Sequence, residues 1–205
     1  MMNKLSIDQF REMLDAALLA VRAKEDYFSQ LDAVTGDGDH GTAIVTALNA
    51  AIAASRSTSE FKGMFNDIGF GIMLNTSGST STLLGGFFLG MADGSEGTEV
   101  DASQLKTMFT SGLAGVAKNT KAKIGDKTMM DALIPAVEAI AACSSSDIKE
   151  ILTAGAAAAL SGAAATVSMK ANFGRARNYG ERSIGTMDAG ASSWATLFEA
   201  FSKTI

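Results

Sequence analysis

Three carboxylates fall within eight residues in the stretch Leu31 to Ala43, read LDAVTGDGDHGTA: Asp32, Asp37 and Asp39, with Gly36 and Gly38 among them and His40 and Gly41 behind. Glycine and aspartate both disfavour helix interiors, and three clustered negative charges repel unless something positive sits between them. The stretch therefore reads as a loop around a cation. Magnesium suits it, because that ion takes carboxylate oxygens and completes its octahedron with water and substrate phosphates. A short acidic loop with open coordination positions points to magnesium nucleotide.

Three better-known motifs share these letters and fail on context. Gly36 to Gly41 spells G-x-G-x-x-G, but a long amphipathic helix precedes it instead of a strand, and bare acids would repel a pyrophosphate. Gly36, Gly41 and Thr42 are spaced as in a Walker A loop that has no position for its lysine. An EF-hand loop counted from Asp32 or Asp37 ends on Ala43 or Leu48, where a glutamate is required. The plain alternative is a turn whose aspartates cap helices, although capping takes one carboxylate and not three.

The segments that must position this loop show helical period, with no sustained two-residue alternation that would argue for strands. Ser6 and Gln9 form a capping box at the start of helix one, Leu5 can staple to Phe10, and the helix should run to about Phe28. Helix two begins behind the acidic loop at His40 and Gly41, helix three follows Ser57 to Ser59 from Phe61, and helix four spans Leu83 to Met91. Between the last two, Asn75 to Thr82 is read as a polar loop of small residues suited to phosphate. Helix five starts at Asp101 with Gln104. Lys118 to Thr128 is a loop with four lysines and a Gly-Asp turn, before helix six, where Pro135 marks a first turn or a kink. Asp147 and Glu150 box the start of helix seven. Lys170 to Gly190, with Arg175, Arg177 and Arg182, is a lid-like segment, and helix eight ends the chain through Trp194 and Phe201. If successive helices alternate in direction, the loops after helices one, three, five and seven share one end of an all-α bundle. Acids, hydroxyls, lysines and arginines then converge on one rim.

The whole chain sets compatible bounds. Its 205 residues, 47% hydrophobic and 19% charged, suit one domain over 1–205 with a sizeable core. A net charge of −5 with no long basic run argues against a general nucleic-acid surface. The single cysteine, Cys143, excludes an intramolecular disulfide; with no secretory leader pattern, the expectation is cytoplasmic. The most apolar runs, Leu83 to Ala92 and Ala154 to Val167, read as too short for membrane insertion.

Taken together, LDAVTGDGDHG, GDKTM at Gly125 to Met129 and GRARNYGERSIG from Gly174 resemble the nucleotide-binding L subunit of dihydroxyacetone kinase, a family also found as a domain of single-chain ATP-dependent kinases. The resemblance covers essentially the whole chain. It implies a barrel of eight antiparallel helices with nucleotide at one end, and two magnesium ions on Asp32, Asp37 and Asp39. By motif it also implies phosphate contacts at His40, Gly41, Thr42 and Ala43, and at Thr80 and Ser81. Thr120 and Met129 fall in the nucleoside region, Arg175 matches a nucleotide-contacting arginine, and Asp188, Ala189 and Gly190 form the final loop. Two stretches depart from the family pattern: Ser77 to Leu83 replaces a GGASGPL-like phosphate loop, and Asp188-Ala189-Gly190 replaces DPG.

The function so implied is phosphoryl transfer with no catalytic residue beyond the metal–nucleotide site. The γ-phosphate goes to a ketose on a separate K-type subunit, and bound ADP is recharged by a phosphohistidine carrier (M-type) subunit. The alternatives are an ATP-dependent half of a kinase for another ketose or polyol, and a non-catalytic nucleotide-binding regulatory module.

Overall fold

A computed structural model describes residues 2–205. The capping box at Ser6 forms as its sequence dictates, Ser6 Oγ accepting from the Gln9 amide and the Gln9 side chain accepting from the Ser6 amide. Helix α1 (Ile7–Arg22) buries Phe10, Leu14 and Val21 along one face and stops earlier than its pattern suggests. At its end the amides of Ala23 and Lys24 bond back to the carbonyls of Leu19 and Val21, and the chain restarts as α2 (Glu25–Ala33). The expected first helix is thus two. This break sets α2 beside α3 (His40–Ala54) and places Asp32 in a last helical turn, not in a loop.

Helices α4 (Phe61–Asn75), α5 (Gly78–Asp93), α6 (Ala102–Ala117), α7 (Met130–Ala142), α8 (Ile148–Ala165) and α9 (Ala189–Thr204) complete the set. Each long helix from α3 onward packs against the next, α1 packs against α3, and α9 closes on α1, so eight long helices form a ring with α2 tucked beside α3 and α9. The all-α bundle stands; the helix count among the described residues is nine. A short antiparallel pair, β1 (Lys4–Ser6) with β2 (Glu99–Asp101), was not expected; three-residue strands are too short to show alternation. Inside the ring, Phe10 meets Phe65 edge-on at 5.0 Å and Phe87 meets Trp194 at 5.1 Å. Such pairs add about 0.5–1.5 kcal/mol each beyond the area they bury.

Four further expectations are revised. The polar stretch 75–82 is nearly all helix, its small side chains turned back onto carbonyls four residues before: Asn75 to Gly71, Thr76 to Ile72 and Thr82 to Gly78. Only Thr76 and Ser77 lie between α4 and α5. Asp147 does cap α8, but through the Lys149 amide and not as a box with Glu150. Pro135 lies inside α7, beyond its first turn; it has no N–H for the Asp131 carbonyl, and Gly162 of α8 passes so close there that a Cβ would sit 1.9 Å from that oxygen. The run Ile148–Ser168 is, by length and composition, long and apolar enough to cross a bilayer, longer than its sequence suggested; here it packs between α7 and α9.

Candidate nucleotide and metal site

The acidic stretch folds into the last turn of α2, a loop over residues 34–39 and the first turn of α3. Two glycines make that tight path possible. A Cβ on Gly36 would lie 2.4 Å from Asp32 Oδ1, and Gly38 holds φ at +76° while its amide donates to Asp32 Oδ2 at 2.8 Å. Oxygens of Asp32, Asp37 and Asp39 come within 4.8 Å of one another. Asp39 stands at the N-cap of α3, yet its carboxylate caps no amide among the described residues. The capping alternative therefore does not describe this loop. Like charges at this spacing call for a counter-charge, and Arg175 supplies one by an ion pair with Asp37. That hydrogen bond holds the Asp37 carboxyl down at about 2, whereas desolvation and then the charge of Asp37 push Asp39 above the usual carboxylate range. Three hard oxygen donors beside a cation fit magnesium chemistry.

His40 opens α3 between two hydroxyls. Ser193 donates its own proton to the Gly190 carbonyl at 3.0 Å, so its oxygen accepts from His40 Nε2–H at 2.8 Å. Nδ1 is then the acceptor for the Thr80 hydroxyl, 3.3 Å away. This network assigns the neutral Nε2–H tautomer, in keeping with burial that lowers the histidine pKa. The expected placement of His40 at the helix start is met, with its ring engaged by α5 and α9.

These groups border a cavity of about 460 Å³. Its lining comes from the four junctions that the sequence grouped: Asp32, Gly36 and His40; Ser79, Thr80 and Leu83; Asn119, Thr120 and the 127–130 segment; and 173–176 with 186–190. The N-termini of α3, α5, α7 and α9 therefore meet at one end, where their dipoles and the uncapped starts of α3 and α5 favour anions. An acidic loop beside four such termini provides complementary sites for a cation and a polyphosphate. Leu83, Met129, Met130, Phe173 and Trp194 add apolar lining.

Among the sequence-selected residues, Asp32, His40, Thr80, Thr120, Met129, Arg175, Asp188, Ala189 and Gly190 line this cavity. Asp37 and Asp39 join it through the triad. Others face elsewhere. Gly41 is packed on α2, where a Cβ would lie 2.0 Å from the Glu25 carbonyl, and Thr42 donates to Glu25 Oε1 at 3.0 Å. Ser81 is buried and donates to the Ile72 carbonyl at 3.3 Å, and neither it nor Ala43 lines the cavity. Of the lid arginines, only Arg175 reaches the acids; Arg182 lies 5.5 Å over the Tyr179 ring, and Glu181 pairs with Lys170 at 3.0 Å. The segment itself is partly ordered into 3-10 turns over Arg175–Ser183.

Two residues of the site had no role assigned from sequence. Asp131 is 1% exposed and accepts from the amides of Gly125 at 2.6 Å and Thr128 at 2.8 Å, which closes the GDKT turn. Lys127 is buried and lines the cavity. The GDKTM motif was visible, but the partners of Lys127, 39 and 59 residues away, are too distant in sequence for spacing to reveal. Asp188 caps α9 by accepting from Ala191 at 2.7 Å, and burial pushes its carboxyl up to about 7.

Comparison with known proteins places these features. The DAK2 domain family model matches residues 34–203. The chain is 33% identical over 186 residues to the PEP-dependent dihydroxyacetone kinase 1, ADP-binding subunit DhaL, of Listeria innocua, covering 90% of this chain and 89% of the relative. It is 34% identical over 189 residues to D-erythrulose kinase of Mycolicibacterium smegmatis, covering 88% of this chain but only 32% of that longer one. In structure it resembles the dihydroxyacetone kinase of C. freundii (native form), with a TM-score of 0.73 at 25% identity over 95% of this chain and 34% of the other.

Proposed function

The chain belongs to the DAK2 domain family, and from that premise and the site's geometry we propose that it is the nucleotide-holding subunit of a dihydroxyacetone or related ketose kinase. As one domain over 1–205 it binds ADP or ATP with two magnesium ions and donates the γ-phosphate to a ketose held by a K-type subunit. Bound ADP is recharged in place by a phosphohistidine M-type carrier in the cytoplasm. The observation that carries this reading is the meeting of three clustered carboxylates with four helix N-termini at one cavity. The likeness to an ADP-binding subunit along nearly its whole length supports the recharging arrangement.

Phosphoryl transfer is chiefly positioning and charge stabilisation, which suits a site with no evident base. Asp32, Asp37 and Asp39 would hold the metal ions, which would supply charge neutralisation at the phosphate oxygens. Amides at the starts of α3 and α5 orient the phosphates, and the Thr80–His40–Ser193 chain holds those two helices and α9 in register. Arg175, which lines the cavity beside the acids, is placed to meet the negative charge of a nucleotide. The methionines, Leu83 and Phe173 provide apolar surface for the nucleoside.

The likeness to D-erythrulose kinase favours a second reading, an ATP-dependent half that exchanges nucleotide and serves a four-carbon ketose. Reconstitution separates them. The chain is mixed with a K-type subunit and either a phosphoenolpyruvate-driven carrier system or ATP alone. Ketose phosphate formed from phosphoenolpyruvate with only stoichiometric ADP supports the first reading; product only with excess ATP supports the second. Product under neither condition with any of a panel of ketoses removes the kinase assignment.

A further inference from the structure

Lys127 is 4% exposed, and a lysine is seldom so buried unless its charge is fully engaged. Its ammonium donates to two carbonyls from separate segments: Thr166, at the end of α8, at 2.6 Å, and Thr186, in the loop before α9. The hydroxyl of fully buried Thr166 in turn donates to the Ala163 carbonyl at 2.6 Å and accepts from the Asp188 amide at 2.9 Å. Gly185 adds a backbone bond to Val167 at 2.8 Å. The carboxylates facing the ammonium are Asp188 and Asp131.

The backbone of Lys127 makes the side chain's contribution separable. Among the described residues it is the one non-glycine position with positive φ, at +59°. Glycine would serve such a turn better than lysine does. What position 127 adds beyond a turn is therefore the ammonium and its two acceptors. An apolar side chain there would take the donor from the Thr186 carbonyl and leave the Thr166 carbonyl with the Met169 amide alone, at 3.2 Å.

We propose that Lys127 is a positioning residue for the nucleotide: its ammonium clasps the end of α8 to the 186–190 loop, and so fixes Asp188, Ala189 and Gly190 at the cavity. This rests on the nucleotide reading given above. The same turn also grips the arginine segment, since the Asp126 carbonyl accepts from the Asn172 amide at 3.1 Å and the Gly125 carbonyl from its side chain at 3.3 Å. A single turn thereby tethers both loops that come to the cavity from the C-terminal part of the chain.

The test uses Lys127→Met and Lys127→Gly, the second because glycine keeps the left-handed turn while deleting the ammonium. In nucleotide-free protein, hydrogen exchange should quicken at residues 185–190 in both variants and stay unchanged in α4 and α5. With magnesium ADP, stopped-flow should give an unaltered association rate and a dissociation rate faster by about tenfold, the usual partition when a bound complex loses a positioning contact. Unchanged exchange at 185–190 and an unchanged dissociation rate in Lys127→Gly would overturn the proposal. So would a smaller binding amplitude with a normal dissociation rate, which signals a smaller folded fraction and a merely structural lysine. A wild-type chain that takes up no magnesium ADP defeats the nucleotide reading, and this proposal with it, at the control and before any variant is compared.

Discussion

The two ends of the helical ring treat the same residue types in opposite ways. Where α1, α4, α6 and α8 begin, polar groups satisfy the backbone. Ser6, Asp101 and Asp147 cap their helices, β1 pairs with β2, Phe61 donates to the Gly97 carbonyl at 2.9 Å, and Ile148 donates to the Met2 carbonyl at 2.8 Å. Where α3, α5, α7 and α9 begin, Asp188 caps α9 and the Thr128 hydroxyl accepts from the first amide of α7, that of Met130, at 3.2 Å, while Asp39 and Ser77 stand at the N-cap positions of α3 and α5 without bonding an amide. One end is closed by internal hydrogen bonds. The other keeps amides and carboxylates available to an outside partner, the ion and polyphosphate of the proposed function.

Substitutions can break or sharpen this contrast. The largest expected effect is at Asp39. Asp39→Asn removes a proposed metal ligand and should lower magnesium-dependent ADP affinity by at least about 100-fold by calorimetry, more than outer-shell changes typically cost. In metal-free buffer it should raise the melting temperature, because it removes a carboxylate already disfavoured beside Asp37. The opposing signs are the signature of an open site.

Next comes Gly41→Ala. Its new methyl would meet the Glu25 carbonyl at 2.0 Å and Ser29 Oγ at 2.6 Å, so α2 and α3 must separate. A loss of about 2 kcal/mol in urea unfolding is expected, in the range of overpacked cores, together with weaker magnesium binding because Asp32 and Asp39 ride on the two helices.

Asp188 gives a pH-dependent effect. Its native carboxyl, pushed up to about 7, lies above the unfolded value of roughly 3.9, so the folded state binds the extra proton between those limits. The stability it contributes is present below the unfolded value and is lost as pH rises through 7. Asp188→Asn keeps a good cap and cannot ionise, so its stability relative to the parent should improve between pH 5 and 8 in urea melts. No pH trend in that difference would contradict the burial of this group.

The smallest effect belongs to the closed end. Asp101→Ala removes a capping box and should cost about 1 kcal/mol, read as a lower thermal midpoint, with magnesium ADP affinity unchanged. Altered affinity there would mean the two ends are not independent.

Much of the contrast was legible because it is local. Capping at Ser6 and Asp101 needs only residues a single turn apart, and the acidic cluster is written in consecutive letters. Alternation of helices then brought four loops to one cavity. What escaped depended on distant partners. The split after Arg22 follows backbone bonds that carry no side-chain signature. Residues 78–82 look like a loop by composition, but the hydroxyls of Thr80, Ser81 and Thr82 are spent on His40, on α4 and within the helix. Lys127 was one of four lysines in a basic loop, and only packing shows that this one is buried against carbonyls 39 and 59 residues away.

Native mass spectrometry of the desalted chain with magnesium and ADP tests the open end most directly. The account predicts one ADP with two magnesium ions per chain, and loss of that adduct when Asp32, Asp37 or Asp39 is changed to asparagine. A chain that binds no nucleotide, or binds it equally well without magnesium and in all three variants, would contradict it.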